Sequence, residues 1–389
     1  MHLRLADDPS ARHRFGSATP FRLGVEEEIF LVDPEDHRIA HRAETVLGQP
    51  RRFTRGAIVG EICDGVVELN TPVCRSAADA AACLGTLRRK AAAEPTCRLL
   101  SAGLHPCAPF GDVRLRRGEH YDHVATDTGG LLRQSAYCGM HVHVGMPDAE
   151  TAIVAFNGMR KWVPLLQALS ANSPFWHGAD SQLASARTVR QRSLPRTGLP
   201  RAFDGWEDYA ASMTRLVNGF GLDGLGSVWW DVRPHPGLGT LEIRVADAQT
   251  SLNHVEALIA LMHCLVYHEA ITRSPVDPPK ELLDESCFQA VRRGLDARIS
   301  IGGPTRHVQD VAAHALELAR GYGRKLGCME SLQEIERMLD DGNGADRQRA
   351  AHAAGGMAGL LEQLVAETAA PRRQAPGAAT SAEPRRAPA

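Results

Sequence analysis

No CxxC pair occurs among the cysteines at positions 63, 74, 83, 97, 107, 138, 264, 287 and 328. Their odd number and scatter disfavour a disulfide framework or a structural zinc site and predict reduced thiols in the core. An apolar run near the roughly 20 residues of a membrane span is also missing. The N-terminus MHLRLADDPSARHRF has no apolar signal core, so a cytoplasmic protein with no membrane partner is expected. Charge of one sign is lacking too: 44 Lys+Arg stand against 46 Asp+Glu, and no basic stripe is interleaved with aromatics, which excludes nucleic acid as an expected partner. There is no GxxxxGK[ST] sequence, and GLGT after Pro236 reads as a turn rather than a dinucleotide fingerprint. Any nucleotide must then be held through metal and arginine. Without an internal repeat or linker, the reading is an N-terminal extension over 1–20, a single domain over 21–368, and a Pro/Ala/Arg-rich tail over 369–389 with no apolar periodicity, expected to be disordered.

What is present is a set of carboxylates in apolar company. GVEEEIFLVDP (24–34) puts three glutamates at the head of an apolar run. Strand alternation places Glu26 and Glu28 on one face and Glu27 on the other, and two like charges on one face need a compensating cation. A hard divalent metal, Mg²⁺, suits carboxylate oxygen, whereas a solvated strand start is the plainer alternative. In EICDGVVELNTP, a two-residue turn at Asp64-Gly65 would set Glu61 directly opposite Glu68; a bulge would leave them apart. In CGMHVHVGMP, His141 and His143 share a face. TLEIRVAD places Glu242 with Arg244, and VWWDVRPHP places Trp229, Asp231 and Arg233, each set on one face. PHPGLG (234–239) joins these last two strands as a hairpin loop.

Strands are expected over 21–32, 58–70, 138–144, 228–233 and 240–245. Helices are expected from Ser76 onward through the alanine-rich run, over 148–169 with a break at Pro164, and over 253–272, 308–320, 332–339 and 346–366. Polar strands with helices behind them make an α+β architecture, an antiparallel sheet funnel backed by helices that could also support a homodimer. SARTVRQRSLPRTGLPR supplies Arg187, Arg190, Arg192, Arg196 and Arg201 in a stretch broken by Pro195, Gly198 and Pro200. This reads as a loop able to wrap phosphate or carboxylate groups. Arg187, Arg233 and Arg244 are the candidate catalytic residues, with Arg192, Arg196 and Arg244 for nucleotide binding. A sheet face of acids, histidine and arginine suits transfer of a nucleotide phosphate.

These residues resemble the bacterial carboxylate-amine ligases of the glutamate-cysteine ligase type 2 family. The resemblance runs from about Phe21 to about Thr368, through GVEEE, VELNTPVC, YCGMHVHVG, ALSANSPFW with SARTVRQRSLPRTGLP, WWDVRPHP with TLEIRVADAQTS, and GNGADRQR. It implies a glutamine synthetase-like fold around Mg²⁺ and ATP. It also implies a reaction in which ATP phosphorylates a small-molecule carboxylate, such as the γ-carboxylate of glutamate, and an amine, such as that of cysteine, attacks the acyl phosphate. Carried onto this chain, it makes Glu26, Glu28, Glu61, Glu68, His141 and Glu242 the metal-contacting set, with Glu242 and Arg244 forming a Glu-x-Arg strand. No cysteine is required. The competing functions are a metal-dependent amide hydrolase, a guanidino-type kinase and a binding protein without turnover.

Overall fold

A computed structural model describes residues 13–48, 56–273 and 277–373. The expectation of disorder for the tail beyond 373, and the first 12 residues of the expected extension, lie outside the described residues. Seven strands form the main sheet: β1 (Leu23–Val32), β2 (Ala57–Gly60), β3 (Val66–Asn70), β4 (Arg98–Leu100), β5 (Gly139–Gly145), β6 (Val232–His235) and β7 (Thr240–Asp247). Their order is β6-β7-β5-β1-β3-β2, with β4 pairing β1, and all of these pairings are antiparallel.

Alternation sorts the side chains. Val25, Glu27, Ile29 and Leu31 on β1, Met140, Val142 and Val144 on β5, and Leu241 and Ile243 on β7 turn to the helical side and are buried. Behind them pack the helices Ala77–Ala91, Ala149–Arg160, Val163–Ser170 and Leu252–Thr272. Ser76 caps the first, its Oγ accepting from the Asp79 amide at 3.2 Å. Pro164 falls in the first turn of Val163–Ser170, where its missing N–H costs nothing, so the expected break becomes two separate helices. Leu252–Thr272 is predominantly apolar and mostly buried, as a central helix should be. By length and composition alone it is long and apolar enough to cross a membrane, contrary to the reading that no such run exists.

Glu27 is the one charged residue of β1 on the helical side, and it is fully buried. Arg88 meets it with a two-pronged contact: Nε donates to Oε2 at 3.0 Å, and Nη2 donates to Oε1. The three remaining N–H groups of Arg88 donate to the carbonyls of Thr250 (2.7 Å), Gln249 (2.6 Å) and Thr368 (3.3 Å). All five guanidinium donors are thereby satisfied, which is what makes such a buried charge tolerable.

Several expectations are corrected. Asp64-Gly65 does form a turn, with Val66 N donating to Cys63 O at 3.0 Å, but Gly60 pairs with Val67 and Val59 with Glu68. Glu61 and Ile62 are therefore a two-residue bulge, and Glu61 does not sit opposite Glu68 in the ladder. Ala186–Arg192 is helical where a loop was expected, because Ser185 caps it by accepting from the Thr188 amide. Helices Glu119–Thr128, Trp206–Phe220 and Lys280–Arg293 were not anticipated. Residues 13–20, within the expected extension, pack on the domain: Phe15 is buried edge-on to Trp206, and Arg14 N donates to Pro236 O at 2.9 Å.

Candidate active site

The opposite face of the sheet collects the charges. Register sets Glu28 against Glu68, Glu26 against His141, Glu242 against His143, and Glu242 against Arg233 on its other side. Two groups result. Glu28, Glu61 and Glu68 each present an oxygen within 4.8 Å of the others, and Glu26, His143 and Glu242 do the same with their own atoms. Although displaced from the ladder, Glu61 rejoins the acids because the bulge turns its side chain toward them.

The two groups differ in how their charge is balanced. In the first, Glu28 Oε2 accepts from the Gly139 amide at 2.6 Å, Glu61 Oε2 from the Ile62 amide at 2.6 Å, and Glu68 Oε1 from Asn70 Nδ2 at 2.8 Å. Among the described residues no lysine or arginine lies within ion-pair distance of these three. Burial, then the neighbouring Glu61 charge, pushes Glu28 up to about 8. Burial raises Glu61, and burial together with the surrounding carboxylates raises Glu68 well above the usual range.

In the second group the cations win. Arg233 Nε donates to Glu242 Oε2 at 2.6 Å, and Arg244 Nη1 donates to Oε1. Burial pushes Glu242 up, but these two guanidinium groups hold it well below the carboxylate range. Burial likewise opposes the ionisation of Glu26, and His143 with His141 more than offsets it. His141 Nδ1 lies 3.2 Å from Glu26 Oε2 and 3.4 Å from Arg244 Nη1; burial and then the Arg244 charge lower it to about 4, so it is neutral at pH 7. His143 Nδ1 meets Thr240 Oγ1 at 3.0 Å, and its Nε2 stands 3.4 Å from Glu26 and 3.8 Å from Glu242. That Nε2 is buried and has no hydrogen-bond partner. An orphaned imidazole nitrogen between two carboxylates, beside three carboxylates that are hard to ionise together, is a donor set that fits divalent cations.

The predicted arginines divide. Arg233 and Arg244 share Glu242. Arg187 is buried beneath Gly139, where a Cβ would lie 2.1 Å from its Nη2; it donates weakly to the Arg244 and Val245 carbonyls at 3.4 Å and leaves Nε without a partner. Arg192 is paired with Asp231 at 2.5 Å, while Arg196 is held by Asp127 and lies over the Trp229 ring. Neither joins the acids through a hydrogen bond or ion pair. His143, which strand alternation puts on the same face as His141, joins the second group although the sequence reading does not count it among the metal-contacting residues.

The comparisons with known proteins agree with one another. The model of the Glutamate-cysteine ligase family 2 (GCS2) matches residues 22–367. A Rubrobacter xylanophilus protein named "Putative glutamate--cysteine ligase 2-3" is 37% identical over 366 residues, 92% of this chain and 99% of the relative. The glutamate–cysteine ligase of Haloferax volcanii is 34% identical over 361 residues, 90% of this chain and 98% of that one. Among solved structures, the Francisella tularensis glutamate–cysteine ligase in complex with AMP shares the fold at a TM-score of 0.67 and 13% identity, covering 90% of this chain and 89% of that one. With its antiparallel sheet, its acidic face and matches that span nearly all the described chain, this protein belongs to glutamate–cysteine ligase family 2.

Proposed function

We propose that the protein is an ATP-dependent carboxylate–amine ligase that makes an amide through an acyl phosphate, with the γ-carboxylate of glutamate as acid and cysteine or another small amine as nucleophile. The observation that carries this reading is the convergence of five carboxylates, two histidines and two arginines on one face of an antiparallel sheet. Family membership supports the reaction class, and the AMP-bound relative of the same fold supports nucleotide binding.

A carboxylate resists an amine until one of its oxygens becomes a leaving group, and phosphorylation provides that. On this reading Glu28, Glu61 and Glu68 hold one Mg²⁺, and Glu26, His143 and Glu242, with His141 alongside, hold another. The ions would supply charge neutralisation for the phosphates. Arg244 and Arg233 fix the ionised state of Glu242; Arg233 also donates from Nη1 to the Leu225 and Val228 carbonyls, which leaves the Nη2 of Arg244 for phosphate or carboxylate oxygens. Arg187 lies behind Gly139, where its charge favours ionisation of Glu28. The nine free thiols play no part in the step and suit a cytosolic setting.

The test is a phosphate-release screen of acids crossed with amines, with product masses measured. ADP and phosphate released only when acid and amine are both present support the ligase. Amide cleavage without ATP would instead indicate a hydrolase, and a phosphorylated single substrate with no amide a kinase.

A further inference from the structure

Arg116 belongs to no strand of the main sheet, yet its backbone is fixed to the bulge that carries Glu61. Its N–H donates to Ile62 O at 2.9 Å, Asp64 N donates to Arg114 O at 2.8 Å, and Cys63 and Leu115 form an antiparallel bridge between these bonds. The guanidinium lies over the Tyr121 ring, 5.5 Å from its centre, and the Tyr121 hydroxyl donates to Gly60 O at 2.9 Å. A Cβ at Gly60 would stand 1.1 Å from Arg116 Nη1 and 2.3 Å from Cζ, so the missing side chain at 60 is what admits the guanidinium. For all this fixing, the guanidinium has no hydrogen-bond acceptor and no carboxylate within ion-pair distance among the described residues. Arg192, Arg196, Arg233 and Arg244 all have carboxylate partners. A half-buried, pre-placed fork of donors that has no acceptor among the described residues, on the segment bonded to the bulge that brings Glu61 to the acidic group, is the arrangement an anion bridging cation and arginine would complete.

We propose that Arg116 binds the phosphoryl group transferred in the reaction, an assignment that rests on the ligase reading above. In that step the bond from the terminal phosphorus to the bridging oxygen of ADP breaks, and its electron pair leaves with ADP. A bond from the same phosphorus to the substrate carboxylate oxygen forms. The amine nitrogen then attacks the acyl carbon, the C–O bond to phosphate breaks, and the amine proton passes to solvent. The Arg116 guanidinium donates to the equatorial oxygens and offsets their negative charge during the first step.

The test is calorimetric titration of the full chain with magnesium adenylyl imidodiphosphate, whose terminal phosphate is not transferred, and with magnesium ADP. Arg116→Ala is expected to weaken the triphosphate analogue by about 10- to 100-fold and ADP by less than about threefold. Arg116→Lys should fall between wild type and Arg116→Ala, and Gly60→Ala, by displacing the guanidinium, should reproduce the alanine loss. Equal loss for both nucleotides, or no loss for either, overturns the assignment. Wild type that binds while the variant is indifferent removes Arg116 alone, whereas wild type that binds neither nucleotide removes the ligase reading with it.

Discussion

Glu28 is asked to be buried, hydrogen-bonded to an amide and surrounded by two other carboxylates, and it answers by keeping its proton until about pH 8. Replacing it with a neutral isostere therefore removes, in the metal-free protein, the cost of burying a carboxyl held protonated above its ordinary range, and on the proposed reading removes a metal ligand. Glu28→Gln and Glu68→Gln are each expected to lose magnesium-dependent ATP turnover by about 100-fold or more, with melting temperatures at or above wild type in the absence of metal. Wild-type turnover in both would remove these residues from the metal-binding set. At this scale the sequence is informative wherever alternation applies: Glu26, Glu28, His141 and Glu242 are all on the face that period two predicts. It is silent on partners. That Asp231 would hold Arg192 across 39 residues and Asp127 would hold Arg196 across 69 has no signature in local spacing.

Among elements, the bulge at Glu61 and Ile62 shows why the hairpin was only half legible. The turn chemistry of Asp64-Gly65 is local and readable. The two extra residues are not, because they follow from Cys63 pairing with Leu115, a segment about 50 residues away that the sequence does not mark as a strand. Helix Ala149–Arg160 offers a cleaner test of element packing. Gly158 would ordinarily gain about 1 kcal/mol of helix stability on becoming alanine. Here, however, a Cβ would lie 2.2 Å from Glu269 Oε2 and 2.8 Å from Glu269 Cβ. Glu269 cannot swing away, since its Oε1 accepts from Trp162 Nε1 at 2.7 Å and from Lys161 Nζ at 2.8 Å. Gly158→Ala should thus destabilise by about 1–3 kcal/mol, read as a lower midpoint in urea; a rise would show that the two helices separate freely.

Over the whole molecule, three histidines far apart in sequence make the fold sensitive to acid. Burial lowers His105, His254 and His263 to about 4 each, and two of them are fixed to backbone: His105 Nε2 lies 2.8 Å from His37 O, and His263 Nε2 lies 2.9 Å from Phe21 O. Between the ordinary pKa of 6.5 and the folded value near 4, the unfolded chain binds more protons, so their contribution to stability falls as pH falls through that window. The raised carboxyls of the site act in the opposite sense, losing stability as pH rises from about 4.5 toward 8. A paired comparison isolates the histidine term: in urea, the advantage of wild type over His105→Asn should shrink steadily from pH 6.5 to pH 4.5, and a constant difference would contradict it. Fold class was legible because polar strands and apolar helices carry distinct periods, while the order of the strands was not, since pairing is set across long separations. The same separations bear on the Arg88 cluster. Its donors reach Glu27, 61 residues earlier, and Thr368, 280 residues later. Synthesis delivers the N-terminal end first, so Glu27 can meet Arg88 once the helix Ala77–Ala91 is made, but the last carbonyl that Arg88 requires arrives only with Thr368. The charge behind the acidic strand is thus paired early and fully satisfied late, so complete burial of Arg88 waits on the helix that carries Thr368.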